Sequence, residues 1–276
     1  GRPDVADRPP GRDPPLTRAA TIRPFTTGVL CALEEEHVHL RRHLVGAATT
    51  RDAGMRFDTG VLDGHRVVLA ESGMGKVNAA MVATVLVERF GAGALLLAGV
   101  AGGLDPRLRV GDVVVADRTV QHDAGTVIDT VHTTYQPGHL PFFNPTDRLG
   151  HAVPSALESR VRARLVGLRL PPLSDRAGGS GDPPRVVLGT ILTGDRYVGC
   201  EDTRERLHTE LGGVAVEMEG AAMAQVAESY RVPWLIVRAL SDLAGRSAAF
   251  DFATFADEAA VRGALVLRRL LPALEA

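Results

Sequence analysis

Apolar residues fall along this chain in short continuous runs rather than in long helical stripes. Residues 28–33, 66–71, 94–98, 113–116, 186–192 and 234–240 are such runs, and a further one leads into Glu217. Continuous apolar segments of this length predict strands covered on both faces. Helical spacing occupies the intervals: 34–39, 76–90, 155–168, 202–211, 220–230 and 257–271. In the second of these, Val77, Ala80, Met81, Thr84, Val85 and Val87 make one apolar side. Buried strands alternating with helices predict an α/β fold, with helices on both faces of one sheet. The run 94–98 leads into Gly99-Val100-Ala101-Gly102-Gly103, which reads as a tight backbone turn. No internal repeat is visible.

Three segments break the pattern. Residues 129–150, containing Tyr135-Gln136-Pro137-Gly138-His139-Leu140-Pro141-Phe142-Phe143-Asn144-Pro145, predict a long irregular loop. Residues 171–184, rich in Pro, Gly, Ser and Asp, predict a flexible surface insertion. The first 24 residues are rich in Pro, Arg and Asp and lack the apolar core of a signal peptide. They read as a disordered tail, leaving 25–276 as a single domain.

Bulk composition narrows the classes. Of 276 residues, 45% are hydrophobic, enough for a large core. Lys and Arg number 31 against 33 Asp and Glu, so the basic excess of a nucleic-acid surface is missing. No apolar stretch reaches the roughly 18–20 residues that cross a bilayer, so a soluble protein without a membrane partner is expected. The two cysteines, Cys31 and Cys200, have no paired-motif spacing, and so few fit a reducing cytoplasm.

The candidate chemistry lies where charge interrupts the apolar runs. Residues 215–224 carry Glu217 and Glu219, and residues 234–242 carry Arg238 and Asp242. Burying an unpaired carboxylate costs several kcal/mol or shifts its pKa, so such positions are rarely kept for stability. In open α/β sheets ligands gather beyond the carboxyl ends of strands. Residues 33–36, 72–75, 99–103, 217–219 and 241–242 all fall at such ends and are expected to converge on one pocket. A structural ion network around Arg238 is the competing reading.

Other motifs carry less. Gly73-Met74-Gly75-Lys76 lacks the glycine spacing and the Ser or Thr of a phosphate loop. Ser72 lacks the flanking glycines of a hydrolase elbow, so it reads as a turn residue or hydrogen-bonding ligand. His37, His39, His122 and Asp123 lack metal-ligand spacing, and no metal is expected. Glu34-Glu35-Glu36 alone would be an ordinary helix N-terminus.

Taken in order, several of these stretches together resemble the 5′-methylthioadenosine/S-adenosylhomocysteine nucleosidases, within the nucleoside phosphorylase superfamily. The stretches are Ala32-Leu33-Glu34-Glu35-Glu36, Glu71-Ser72-Gly73-Met74-Gly75-Lys76-Val77, Gly99-Val100-Ala101-Gly102-Gly103-Leu104, and Val110-Gly111-Asp112-Val113-Val114. Thr193-Gly194-Asp195, Ala215-Val216-Glu217-Met218-Glu219 and Val237-Arg238-Ala239-Leu240-Ser241-Asp242 complete them. The resemblance implies a three-layer α/β/α fold around a mixed, partly barrel-like sheet, and a homodimer without a cofactor. It implies a purine nucleoside substrate and release of adenine from 5′-thio-substituted adenosines.

By the same resemblance Asp242 is the acid that protonates adenine at N7, and Glu36 the base that activates water. Glu219 grips the ribose hydroxyls and Met218 packs on the sugar. Ser72, Glu217 and Arg238 fall where the family positions water and ribose, beside Ser241. Tyr197 and Val198 match the residues that sandwich adenine and read its edge, and Phe252 an aromatic near purine and sugar. Leu33 stands where the family often has Met, a volume-conserving change. Residues 129–150 and 171–184 do not match, and Phe142 and Phe143 are placed to shape the pocket for the 5′ substituent.

The chemistry is coherent on its own terms. An N-glycosidic bond breaks more easily when the departing base is protonated, which calls for an acid with a raised pKa, as burial after residues 234–240 would give Asp242. Carboxylates stabilise the oxocarbenium-like sugar. Phosphate as nucleophile needs several cations or N–H donors. Three glutamates at the first strand end, with Arg238 the only obvious cation, favour water. A nucleosidase for another purine nucleoside, of futalosine or secondary-metabolite type, a phosphorylase, and a silent nucleoside-binding protein are the alternatives.

Overall fold

The computed structural model describes residues 25–129, 131–137, 148–174, 182–245 and 248–275. The expected tail, Phe142 and Phe143, and half of the 171–184 insertion lie outside them. The inner strands are the apolar runs: β1 (Thr27–Cys31), β4 (His65–Glu71), β5 (Ala94–Gly103) and β12 (Trp234–Asp242). They lie side by side and parallel, in the order β12-β5-β1-β4. Leu95, Leu96 and Leu97 on β5 are wholly buried, as a strand covered on both faces requires.

Beyond β4 the sheet continues antiparallel through β3 (Met55–Leu62) and β2 (Val45–Asp52). Beyond β12 it runs through β6 (Val113–Gln121), β10 (Val186–Thr193) and β11 (Gly213–Glu217). β11 then turns back to pair antiparallel with β5, Ala215 opposite Gly103 and Val216 opposite Gly102. The five strands β5, β12, β6, β10 and β11 therefore close into a barrel, while β1 to β4 form an open wing.

Helices cover both faces. α2 (Lys76–Glu88) and α5 (Gly220–Tyr230) pack on each other against one side, and α6 (Ala248–Leu274) lies on β5 and β12 on the other. α1 (Glu34–Arg41) and α3 (Ser155–Leu165) pack against α6, and α4 (Glu201–Leu211) leads into β11. The result is the expected three-layer α/β/α arrangement around a mixed sheet with a closed, barrel-like part. No described helix is long and apolar enough to cross a membrane.

The structure corrects four local expectations. Residues 99–103 are strand rather than a tight turn, because β12 and β11 supply their hydrogen-bonding partners. The hairpin β2–β3 was not foreseen: β2 is almost wholly exposed and offers no apolar run. Within 129–150, Val131–Thr134 (β8) pairs with Gly125–Ile128 (β7), and directly after that stretch His151–Ala152 (β9) adds to β6. α6 starts nine residues before the predicted 257, at Ala248.

α1 is fixed to the wing through a buried carboxylate. Asp58 on β3 is fully buried and faces His37 at 3.0 Å, Arg41 at 3.1 Å and Arg56 at 3.0 Å. Three nitrogen partners offset the desolvation of one charge. His39, at 2.8 Å from Asp257, joins the same helix to α6.

Candidate active site

A cavity of about 450 Å³ opens at the carboxyl ends of β1, β5, β11 and β12, within the range of small-molecule sites. Its polar groups are Glu36, Glu217, Glu219, Arg238, Ser241 and Asp242; Leu33, Met74, Val100, Tyr197, Met218 and Phe252 supply much of its apolar wall. A side cavity adjoining it is lined by Tyr197, Val198, Met218 and Asp242. Among the described residues lining the main cavity, Arg238 is the only cation. No described group of three His, Cys, Asp or Glu could hold a metal.

Glu36 leaves the first turn of α1 and points back under β1. Its Oε2 accepts the amides of Ala32 at 2.8 Å and Leu33 at 3.0 Å, and its Oε1 that of Val100 at 2.9 Å. Burial pushes its pKa up, against the opposing pull of Arg238 and these three amides. The carboxylate is thus aimed by backbone groups and made more basic by its surroundings.

Arg238, 1% exposed, lies on β12 beside Gly99 of β5. Its Nη2 donates to Glu217 and, at 2.9 Å, to Glu219. Burial works against its charge, but Glu217, Glu219 and Glu36 outweigh it and hold the guanidinium more firmly protonated than usual. A side chain on residue 99 would place its Cβ 2.1 Å from Arg238 Nη1 and 2.5 Å from Glu36 Oε1. Gly99 is therefore the residue that lets acid and cation meet across the strand, a role hidden when 99–103 is read as a turn.

Glu217 is saturated by the protein. Thr193 Oγ1 donates to its Oε1, as does the Gly220 amide at 3.0 Å; Oε2 accepts from Glu219 N at 3.1 Å, from Gly220 N and from Arg238. Thr193 in turn accepts the Ala221 amide at 2.8 Å. Glu219 is less enclosed: Oε1 accepts the Gly75 amide at 2.8 Å and Oε2 faces Arg238. Burial raises its pKa to about 7, Arg238 and the Gly75 amide pulling down and Glu217 and Glu36 pushing up.

Asp242 ends β12 opposite Gly102 and is 2% exposed. Its Oδ1 accepts the Ala244 amide at 2.8 Å, and Ser241 Oγ donates to Oδ2 at 3.0 Å. Gly99 beside Glu36 and Gly102 beside Asp242 are three strand residues apart, roughly 10 Å at 3.3 Å per residue. The two acids thus stand at separate stations along one strand.

The remaining expected residues divide. Tyr197 meets Phe252 edge to face, with ring centroids 6.4 Å apart, and both line the cavity. Val198 lines only the side cavity. Ser72 is the residue the structure does not bring in: it is buried at the end of β4, its hydroxyl donating to Gly73 O at 2.8 Å and to Cys31 O at 3.3 Å. From the Ser72 segment it is Met74 that reaches the cavity wall. Sequence reasoning missed Gly99 and Thr193; the only signals were the G-V-A-G-G and T-G-D stretches, which say nothing of what they touch.

A profile of the phosphorylase superfamily matches residues 26–272. The chain is 55% identical over 251 residues to the 5′-methylthioadenosine/S-adenosylhomocysteine nucleosidase of Mycobacterium bovis, spanning 91% of this chain and 98% of that protein. It superposes with a TM-score of 0.76 on the nucleosidase of the same name from S. pneumoniae, solved with the transition-state inhibitor MT-ImmA. That match is 32% identical and covers 91% of this chain and 100% of the other. The native futalosine hydrolase of Helicobacter pylori superposes with a TM-score of 0.74 at 25% identity, covering 90% and 97%.

Proposed function

Since the chain belongs to the 5′-methylthioadenosine/S-adenosylhomocysteine nucleosidases of the phosphorylase superfamily, and is thus an N-glycosidic hydrolase, we propose that it releases adenine from those two nucleosides with Asp242 as acid and Glu36 as base. The observation that carries this is the pair of buried acids on either side of a cavity in which Arg238, the one cation among its described lining residues, is already held by two carboxylates.

The purine lies between Tyr197, Phe252 and Met218, with its N7 toward Asp242. Both oxygens of Asp242 accept hydrogen bonds, Oδ1 from the Ala244 amide and Oδ2 from Ser241 Oγ, and these hold the carboxyl in place to give up its proton. As the C1′–N9 bond breaks, its electron pair moves into the base and N7 takes that proton. Glu36 accepts a proton from water while the water oxygen bonds to C1′. Asp242 ends ionised and Glu36 protonated, and exchange with solvent resets both. Glu219 binds the ribose hydroxyls through its carboxylate and, with Glu36, stabilises positive charge developing on the sugar. Glu217 and Arg238 hold Glu219 in place. Ser241 orients Asp242, and Ser72 shapes the β4 turn. No cofactor takes part.

With Arg238 engaged by Glu217 and Glu219, phosphate would meet carboxylates without a free cation, which supports water as nucleophile. The exposed apolar residues Val77 and Met81 on α2 and Val127, Ile128 and Val131 on β7–β8 support the expected homodimer, which light scattering on the purified protein would test.

The deciding experiment incubates the protein with methylthioadenosine, adenosylhomocysteine, adenosine, inosine and futalosine in phosphate-free buffer and identifies the base released. Adenine from the two thio-nucleosides supports the proposal; preferential cleavage of futalosine, or activity only with added phosphate, overturns it. Asp242→Asn is expected to lose at least about 10²-fold in kcat, the size of a lost general acid, with an unchanged melting temperature.

A further inference from the structure

Thr193-Gly194-Asp195 follows β10, and nothing in the reaction above uses its aspartate. Asp195 lies outside the cavity, yet its Oδ1 accepts the amide of Lys76 at 2.8 Å across 119 residues of sequence. Lys76 is the first residue of α2, whose first amides have no partner within the helix. The preceding Gly75 has no side chain to cap that helix, so Asp195 does it from a distance.

Gly75 is the link to the site. It has φ +98°, a conformation open to glycine, and a Cβ there would sit 3.2 Å from Asp195 Oδ1. In that conformation its own amide donates to Glu219 Oε1 at 2.8 Å. One peptide thus separates the amide gripped by Asp195 from the amide that aims Glu219. Asp123 stiffens the arrangement: Oδ2 accepts the Asp195 amide at 2.8 Å and Oδ1 meets Lys76 Nζ at 2.6 Å. Behind the loop, a Cβ on Gly194 would lie 2.3 Å from the His122 ring, so the backbone there has little freedom.

We propose that Asp195 is a positioning residue for the ribose-binding carboxylate: by capping α2 it holds the Gly75 amide on Glu219 and so sets both the place and the acidity of that group. This rests on the reading of Glu219 as the ribose ligand. The groups facing Glu219 are Arg238 on β12, Glu217 on β11, Glu36 on α1 and the Gly75 amide before α2. Those facing Asp195 are Lys76, at 3.8 Å from its Oδ2, and Asp123. Of the four around Glu219, only the Gly75 amide depends on Asp195. It favours the ionised carboxylate, so releasing it makes Glu219 harder to ionise.

The test is the pH dependence of kcat/KM for methylthioadenosine in wild type, Asp195→Ala, Asp195→Asn and Glu219→Gln. Asp195→Ala is expected to lose roughly 10- to 100-fold, the scale of a displaced binding group, mainly through KM. Its acid limb should move up by about half a pH unit or more, as loss of a hydrogen bond to the charged form requires. Asp195→Asn, which still presents an oxygen to the Lys76 amide, is expected to restore both. Where alanine does not fold, Asp195→Ser, one atom too short to reach that amide, replaces it.

An unmoved acid limb in the alanine or serine variant, or an asparagine variant as impaired as alanine, overturns the role of Asp195. Glu219→Gln with unchanged KM and pH profile overturns the ribose-ligand reading itself, whatever Asp195 does. Collapse of Glu219→Gln together with a normal Asp195→Ala rejects the positioning role alone.

Discussion

Arg238→Met removes the cation that faces Glu36, Glu217 and Glu219 while keeping much of the side chain's length. Breaking a buried ion pair from one side typically costs about 3–5 kcal/mol. Arg238 is 1% exposed and bonds two carboxylates, so the loss should reach that range at pH 8.5. For a domain of this size it corresponds to a melting temperature lower by roughly 6–20 °C. The loss should also depend on pH. Glu219 has its pKa raised by burial from 4.5 to about 7 in the folded protein. A carboxyl with a raised folded pKa contributes stability that is complete below its unfolded pKa and disappears as pH rises through the folded one. Arg238 opposes that rise at Glu219 and Glu36, so without it both pKa values climb further and the loss extends to higher pH. The gap between wild type and variant should widen from pH 5 to pH 8.5, by about 1–3 kcal/mol for one or two units of further shift. Urea melts of both proteins at the two pH values measure it. A gap of equal size at both, or a variant as stable as wild type at pH 8.5, would refute an electrostatic role for the cluster.

Three further outcomes are expected. Because the ionised form of Glu219 is the one that accepts ribose hydroxyls, kcat/KM should rise with pH through a limb near its pKa of about 7; a flat profile from pH 5 to 8 would contradict this. Gly99→Ala drives a methyl group to 2.1 Å from Arg238 Nη1 and should reduce kcat/KM by about 100-fold or more, the penalty of misplaced catalytic groups, while circular dichroism keeps its α/β signature. Thr193→Val leaves Glu217 and the Ala221 amide each short of a partner and should lower stability by about 1–3 kcal/mol, with Thr193→Ser close to wild type in the same denaturation assay.

What the chain discloses in advance follows burial. β1, β4, β5 and β12 are covered on both faces, so their sequences are continuous apolar runs and legible as strands. β2 is exposed along nearly its whole length, so solvent leaves no pattern to read, and the outer hairpin of the wing was missed. The glycines at 99, 102 and 103 pointed to a turn because local preference was the only guide. In the folded chain they continue a strand, making room for Arg238, Glu36 and Asp242 on its neighbours. Glu217, Glu219, Arg238 and Asp242 were recognisable as charge out of place, and the cavity brings them together. Glu36 stood out only by its place at the end of a buried strand, and the family resemblance gave it a role. Ser72 shows the reverse, a position matched by motif whose hydroxyl is turned to the backbone. Thr193 and Asp195 act on partners 24 and 119 residues away, a distance no local pattern encodes.

Closure of the barrel ties the floor of the cavity to the slowest motions of the molecule. Residues 99–102 pair with β12, and residues 102 and 103 pair with β11, so the far end of the segment cannot be freed without opening the ring. Active-site segments are commonly drawn from the least protected parts of a protein; here one wall should be among the most protected. The amide of Val100 is a special case, since its acceptor is the Glu36 carboxylate rather than a neighbouring strand. Its rate of exchange with heavy water therefore reports two things in turn: whether the ring is intact and, as pH is varied, whether Glu36 carries its proton.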